Sequence, residues 1–280
     1  MTNPIALLTA GLVVVQVALL ATQAQSAPKP NPLAFVAAGT NGFTFDTGAL
    51  RGKLRADGKS KGLSSVEHIA SGTRLDRSMG LLGHYRVFTA NNRYGVGAWD
   101  WPGDATLRPD GSVEARWPAT AERPFELRAI YRWASPTALY VETIVQAKTN
   151  LEKFESFLAS YFAGNFTNSL AYVAEPPGKP GIAGFMAAEP GAGLWQAFPR
   201  DDVAMAIFRD GRWTIPPNPV EWVEMPRLAK PLGIRRGSGH RLDRSADVAT
   251  GGRLRHLHAA ANGRALLNVS LALRPRPEGW

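Results

Sequence analysis

The sequence predicts an all-β fold, an antiparallel β-sandwich of many strands in one domain. Hydrophobic residues make up 45% and charged residues 20% of the 280-residue chain, which excludes a disordered chain and a polytopic membrane protein. Runs of alternating apolar and polar residues are separated by turn signals at short intervals. No long amphipathic helix and no β–α–β alternation appears, so the pattern favours a sandwich over an α/β fold.

The clearest element is a β-hairpin. Every second position of 125–133 is apolar, and the same alternation continues over 139–145 after a turn at Ser135-Pro136. Such alternation predicts two strands with one buried face. Further strands are predicted at 42–46, 63–69, 85–89, 112–117, 154–162, 170–173, 194–198, 203–208 and 213–215.

The N-terminus has the pattern of a secretory signal peptide over residues 1–26. Positions 5–21 are almost entirely apolar, and Ala-Gln-Ser at 24–26 places small residues before a cleavage site at Ala27. No Lys or Arg precedes the apolar segment, so a retained membrane anchor is the alternative. Residues 27–41 are rich in proline and predict an extended leader. We therefore expect a secreted or periplasmic protein, or a membrane-anchored one if the segment is retained.

The β-sandwich domain is assigned to 42–234, and residues 235–280 form an atypical basic tail. No aromatic residue occurs in 223–279, although the chain has 8 Trp, 6 Tyr and 12 Phe. One interpretation is a solvated tail. Another is a shifted reading frame, since dropping one base from plausible GC-rich codons for 240–258 gives strand-like runs. That frameshift would leave the sandwich without its C-terminal strands and predicts a poorly packed, exposed tail.

The charge and the missing motifs narrow the function classes. The formal net charge is +9, but nine Arg and three acids in 235–280 account for +6 of it. The tail has no aromatic before Trp280, so we expect no nucleic-acid partner. Cys is absent, which excludes disulfides, thiolate metal sites and cysteine nucleophiles. No P-loop, G-x-S-x-G, H-E-x-x-H or G-x-G-x-x-G motif occurs, and we expect no metal and no cofactor.

The richest polar cluster is His84 and Arg86 on a predicted strand, followed by Trp99, Asp100 and Trp101. Strand alternation predicts that His84 and Arg86 share one face. Flat apolar rings beside imidazole, guanidinium and carboxylate groups are what sugar recognition requires. The alternative is that both Trp are core residues and that Asp100 caps a turn.

A second candidate is Glu155, an acid among aromatic residues on the predicted strand 154–162. Burial there would raise its pKa and suit it to general acid or base chemistry. The alternative is a strand-end Glu paired with Lys153 or solvent. The third cluster contains Trp195 and Arg200, before a proline-rich loop over 213–219 that either walls a groove or covers a sheet edge.

Segments 81–88, 154–172 and 213–231 resemble secreted bacterial proteins with a galactose mutarotase-like (aldose 1-epimerase-like) β-supersandwich. Mutarotases use a His as acid and a Glu as base, so the resemblance implies His84 and Glu155 as a catalytic pair. The three residue clusters supply the substrate-binding candidates Arg86, Trp99, Asp100, Trp101, Trp195 and Arg200.

Three functions remain open. The first is an exported carbohydrate-binding or carbohydrate-modifying protein with a saccharide ligand and at most mutarotase-like acid–base chemistry. The second is a non-catalytic envelope protein for structure or interaction, which meets a membrane only through an uncleaved signal anchor. The third is a polysaccharide lyase or hydrolase, for which Arg86, His84 and Tyr85 supply the residue types of a lyase. Grouping of His84, Trp99, Asp100 and Glu155 around one groove would favour the first, and their burial the second.

Overall fold

The computed structural model describes residues 33–39, 42–55, 62–188 and 195–237, together with the backbone of three strands between 247 and 274. The predicted signal peptide lies outside the described residues. The described part of the predicted leader already contains a short strand, at Val36–Ala37.

The fold is all-β, as predicted, with three antiparallel sheets and a small parallel one. The first antiparallel sheet has five strands in sequential order: β1 (Val36–Ala37), β2 (Gly42–Asp46), β3 (Leu50–Arg55), β4 (Gly62–His68) and β5 (Thr73–Arg74). A four-stranded sheet has the order β19-β12-β6-β7, with β6 (Gly83–Thr89), β7 (Asn92–Arg93), β12 (Leu151–Ala159) and β19 (Leu257–Ala259).

The largest sheet has nine strands in the order β14-β13-β17-β18-β20-β11-β10-β9-β8. In chain order they are β8 (Asp104–Leu107), β9 (Val113–Trp117), β10 (Phe125–Ser135), β11 (Ala138–Ala147), β13 (Asn168–Val173), β14 (Gly184–Ala187), β17 (Leu228–Arg236), β18 (Asp247–Arg253) and β20 (Arg264–Arg274). The parallel pair is β15 (Trp195–Ala197) with β16 (Trp222–Glu224), and α1 covers Asp202–Arg209.

One continuous core joins the three antiparallel sheets. Phe45 of the five-stranded sheet meets Trp133 of the nine-stranded sheet with ring centroids 4.8 Å apart. Phe154 of the four-stranded sheet meets Phe125 of the nine-stranded sheet at 5.0 Å. The nine-stranded sheet therefore packs against both smaller sheets, which gives the sandwich its hydrophobic interior.

The predicted hairpin is confirmed. Strands β10 and β11 pair in antiparallel register, with Trp133 opposite Leu139 and Phe125 opposite Ala147. The apolar residues at every second position of 125–133 and 139–145 are all buried, and so is the polar Thr143 on the same face, at 2% exposure. Alternation predicted this hairpin well because one of its faces is the centre of the core.

Two strand predictions near residue 210 are wrong. Residues predicted as the strand 203–208 form α1, because Asp201 caps the helix by accepting a hydrogen bond from the Ala204 N–H at 2.8 Å. Asp202 in the first turn and Arg209 in the last turn complement the helix dipole. The predicted strand 213–215 is instead a 3₁₀ turn over Arg212–Thr214.

The nine-stranded sheet continues past residue 234. Strand β17 crosses that predicted boundary, and the backbones of β18 and β20 lie in the sheet between β17 and β11. Residues 235–280 therefore contribute backbone pairing to the sheet. The prediction that this tail packs poorly concerns its side chains, which beyond residue 237 lie outside the described residues, and it stays a prediction.

Gly62 and Gly72 both have a left-handed backbone conformation. Comparing substitutions at the two positions tests how closely the start of β4 packs against Leu81, in the segment before β6. Gly62 has φ +71°, and a Cβ there would overlap the Leu81 carbonyl oxygen, which accepts a hydrogen bond from Leu63. Gly72 has φ +63° with nothing within 4 Å of an added Cβ.

We expect Gly72→Ala to lower the free energy of unfolding by about 1–2 kcal/mol, the ordinary cost of a left-handed Ala. Gly62→Ala should cost at least about twice that, because it adds a backbone clash to the same conformational cost. Urea unfolding of both variants measures the difference, and equal losses would contradict the tight Leu63–Leu81 junction.

Candidate functional site

The candidate site begins with a β-bulge between β6 and β12. Ser156 pairs with Val87 and Leu158 pairs with His84, so two residues of β6, Tyr85 and Arg86, lie opposite Phe157 alone. Such an extra residue reverses the alternation along the strand. His84 and Val87 consequently face the main core, whereas Tyr85 and Arg86 both lie on the outer face of β6. The predicted common face of His84 and Arg86 is therefore wrong.

The bulge places the Arg86 guanidinium among three aromatic rings. Its Cζ atom lies 5.1 Å from the ring centroid of Tyr85, 5.2 Å from that of Trp195 and 5.6 Å from that of Trp213. These distances are in the range of cation–π attraction. We call Arg86 with these three rings the Arg86 box. Arg86 is 3% exposed, and its Nη2 donates to the Asn218 carbonyl at 3.1 Å.

The rings of the box belong to a longer aromatic strip. Tyr85 stacks on Trp99 with centroids 4.0 Å apart, and Phe157 lies 5.9 Å from Trp195 and 5.8 Å from Trp213. Trp195 is 42% exposed, so it is the part of the Arg86 box that meets solvent. The remaining members of the strip are Tyr161, Phe208 and Trp222, each half-buried.

His84 is a core residue. It is 1% exposed, packs on Trp117 with centroids 5.5 Å apart, and has its Nε2 2.8 Å from the Thr143 hydroxyl. Its Nδ1 is buried without a hydrogen-bond partner in the described part of the chain. Burial lowers the pKa of His84 to about 4, so the ring is neutral near pH 7. A neutral ring enclosed by core residues cannot deliver a proton to a ligand at the surface.

Glu155 lies on β12 opposite Phe88, and its charged neighbours are Arg212 and Asp210. Its Oε2 is 3.8 Å from Nη1 of Arg212, a fully buried guanidinium that Asp210 also binds. Burial raises the pKa of Glu155 to about 7, opposed by Arg212 and reinforced by Asp210. A pKa near 7 suits a general base, but the described contacts of Glu155 share no residue with those of His84.

The other predicted site residues divide into two groups. Trp195, Arg86 and Trp99 lie in the aromatic strip, with Trp99 buried under Tyr85. Asp100 and Trp101 do not join them.

Trp99 and Asp100 lie in a 3₁₀ turn over Ala98–Asp100 that leaves Asp100 exposed. Trp101 packs on Phe125 in the core and under the Arg123 guanidinium. Arg200 is ion-paired with Asp201 at 2.8 Å, at the N-terminus of α1. The structure therefore assembles only part of the predicted set.

Sequence reasoning missed two arginines. Arg93 donates to the backbone carbonyls of Gly95 and Val96, and it also contacts the Asn218 carbonyl at 3.4 Å. Arg212 ties the 210–214 turn to β12 by donating to the Lys153 carbonyl at 2.8 Å. The contacts that tie these arginines to other elements are with backbone carbonyls distant along the chain, those of Ile215 and Asn218 for Arg93 and of Lys153 for Arg212, and no sequence pattern indicates such contacts.

The described residues contain no group of three His, Asp or Glu side chains that could hold a metal ion. Among the described helices, none has the length and apolar character needed to cross a bilayer. No model of a known protein family matches the chain, and no curated protein matches it.

His84 and Glu155 have shifted pKa values with opposite consequences for stability. The folded-state pKa of His84 is depressed, so between pH 4 and its usual 6.5 the unfolded chain binds the extra proton and stability rises with pH. The folded-state pKa of Glu155 is raised, so between its usual 4.5 and 7 the folded protein holds the extra proton and stability falls as pH rises.

We therefore expect the two slopes to oppose one another in the wild type between pH 4.5 and 6.5. His84→Gln should expose the Glu155 slope, with stability falling by up to about 1.4 kcal/mol per pH unit. Glu155→Gln should expose the His84 slope, of similar size and opposite sign. Urea unfolding across this pH range provides the measurement, and unchanged slopes in both variants would contradict the assignment.

Proposed function

We propose that this chain is an exported carbohydrate-binding protein whose saccharide contacts the aromatic strip at Trp195. The observation that carries the proposal is the exposure of Trp195 within a continuous run of otherwise buried and half-buried rings. An indole held by other rings offers a rigid apolar face for the C–H groups of a sugar. The signal-peptide pattern of residues 1–26 supports export.

The proposed function is binding without the His84–Glu155 chemistry. His84 contributes to the core, and its contacts with Thr143 and Trp117 are those of a structural residue. The mutarotase-like fold remains a proposal that rests on the β-sandwich and on the resemblance of segments 81–88, 154–172 and 213–231. Neither supports catalysis by itself, since similar folds host unrelated functions.

The second candidate is a non-catalytic envelope protein that uses Trp195 to contact another protein. The burial of His84 and Trp99, two of the four residues that would have formed a sugar site, favours it. A glycan array separates the two candidates, because only the first predicts a saccharide ligand.

We expect the mature wild-type protein to bind a subset of saccharides on such an array. Trp195→Ala should weaken this binding about tenfold, because loss of one stacked ring costs on the order of 1 kcal/mol or more. Tyr140→Ala is the matched control, since Tyr140 is 45% exposed on β11, outside the aromatic strip. Absence of any bound saccharide, or equal loss in both variants, would contradict the proposal.

A further inference from the structure

Arg86 is a buried cation with unused hydrogen-bond donors. Only its Nη2 has a partner, the Asn218 carbonyl, while Nε and Nη1 are buried without one in the described part of the chain. An unpartnered buried donor costs roughly 1–3 kcal/mol, and more when it is charged. Cation–π attraction to three rings offsets part of this cost but satisfies none of the N–H groups.

A second guanidinium increases the local positive charge. Arg93 is 6% exposed and contacts the same Asn218 carbonyl as Arg86. Burial and the neighbouring Arg86 lower the pKa of Arg93, and no carboxylate contributes to that shift. Among the described residues, neither Arg86 nor Arg93 lies within ion-pair distance of an Asp or Glu.

Arg212 shows how the same chain treats a buried guanidinium with a structural role. It is 0% exposed, and its Nε and Nη2 both donate to the Asp210 carboxylate, at 3.0 and 2.8 Å. The Glu155 carboxylate is a second acidic neighbour, with its Oε2 3.8 Å from Nη1 of Arg212. A buried guanidinium normally binds an anion, as Arg212 does. Among the described residues, Arg86 has no such anion beside it.

We propose that the missing anion is a carboxylate of the bound saccharide, so that the protein recognises uronic acid-containing saccharides through Arg86. This inference rests on the proposed function and specifies its ligand class. Carboxylate is the group whose geometry a guanidinium fork matches best.

A ligand reaches the Arg86 box from the side of Trp195, the exposed ring. Of the three rings in the Arg86 box, Tyr85 is 8% and Trp213 is 2% exposed, whereas Trp195 is 42% exposed. A saccharide that contacts Trp195 therefore lies next to the guanidinium. Nε and Nη1 of Arg86 are buried, so a local shift of the side chains around them must accompany binding of the carboxylate. The Tyr161 phenol, whose pKa is raised by burial, stays neutral near Arg86 and can donate to sugar oxygens.

The test is isothermal titration of the mature protein with oligomers of galacturonate, glucuronate and mannuronate, each paired with its carboxyl methyl ester. We expect at least one acid oligomer to bind at least tenfold more tightly than its ester. In Arg86→Met, a variant of similar side-chain length, this preference should disappear while the ester still binds. In Arg86→Lys, which keeps the charge without the planar fork, part of the preference should remain.

Arg51→Met is the matched control. It removes the same charge from the five-stranded sheet, where Arg51 is paired with Glu67 at 2.9 Å, and should leave the preference for the acid unchanged. Equal binding of acid and ester by the wild type would overturn the Arg86 assignment while the proposed function stands. Binding of neither the acids nor the esters would also overturn the Arg86 assignment, and the proposed function falls only if the glycan array shows no bound saccharide either. The wild-type comparison of acid with ester decides the assignment even if Arg86→Met fails to fold.

Discussion

The arrangement of the candidate site depends on the bulge at Tyr85 and Arg86. Without it, His84 and Arg86 would share one face of β6, and a guanidinium would point into the core beside Trp117. Because of the extra residue, β6 directs His84 and Val87 into the apolar interior and directs Tyr85 and Arg86 into an aromatic, cationic layer on the other side. Every residue of β6 is buried because both of its faces are covered.

Two loops cover the outer face of β6, and each is held by arginine. Arg93 donates to carbonyls of its own loop and to the Ile215 carbonyl at 3.3 Å. Arg212 fixes the following turn to β12 and thereby places Trp213 against Phe88, at 5.1 Å between ring centroids. Guanidinium groups suit this task, since several carbonyls can be satisfied by one side chain that remains charged. The turn at Arg212–Thr214 consequently presents Trp213 to the Arg86 guanidinium, whereas Trp195 approaches it from β15.

Regular alternation made β10 and β11 predictable, because one face of that hairpin is core along its whole length. It failed at β6, because a bulge depends on pairing with Phe157, a residue far away in the chain. It also failed at α1, where Val203, Met205 and Ile207 alternate like a strand although Asp201 supplies a helix cap.

The candidate site was likewise predictable from the sequence only in part. The types of residue that could form it were visible in the sequence, and Arg86 and Trp195 do meet. The pairing of His84 with Glu155 follows only from the resemblance, which carries no information on the strand face that each residue occupies. Arg93 and Arg212 reach other elements through distant backbone carbonyls, and a carbonyl carries no sequence signal.

The central claim is that the bulge holds an incompletely hydrogen-bonded Arg86 guanidinium among aromatic rings. The most direct measurement is the proton–nitrogen NMR spectrum of the arginine Nε–H groups, with Arg86 assigned by its absence in Arg86→Met. We predict one Nε–H resonance that is displaced by ring currents, exchanges slowly with solvent because it is buried, and moves when an acidic saccharide is added. An Arg86 resonance at an ordinary shift with fast solvent exchange would contradict the account.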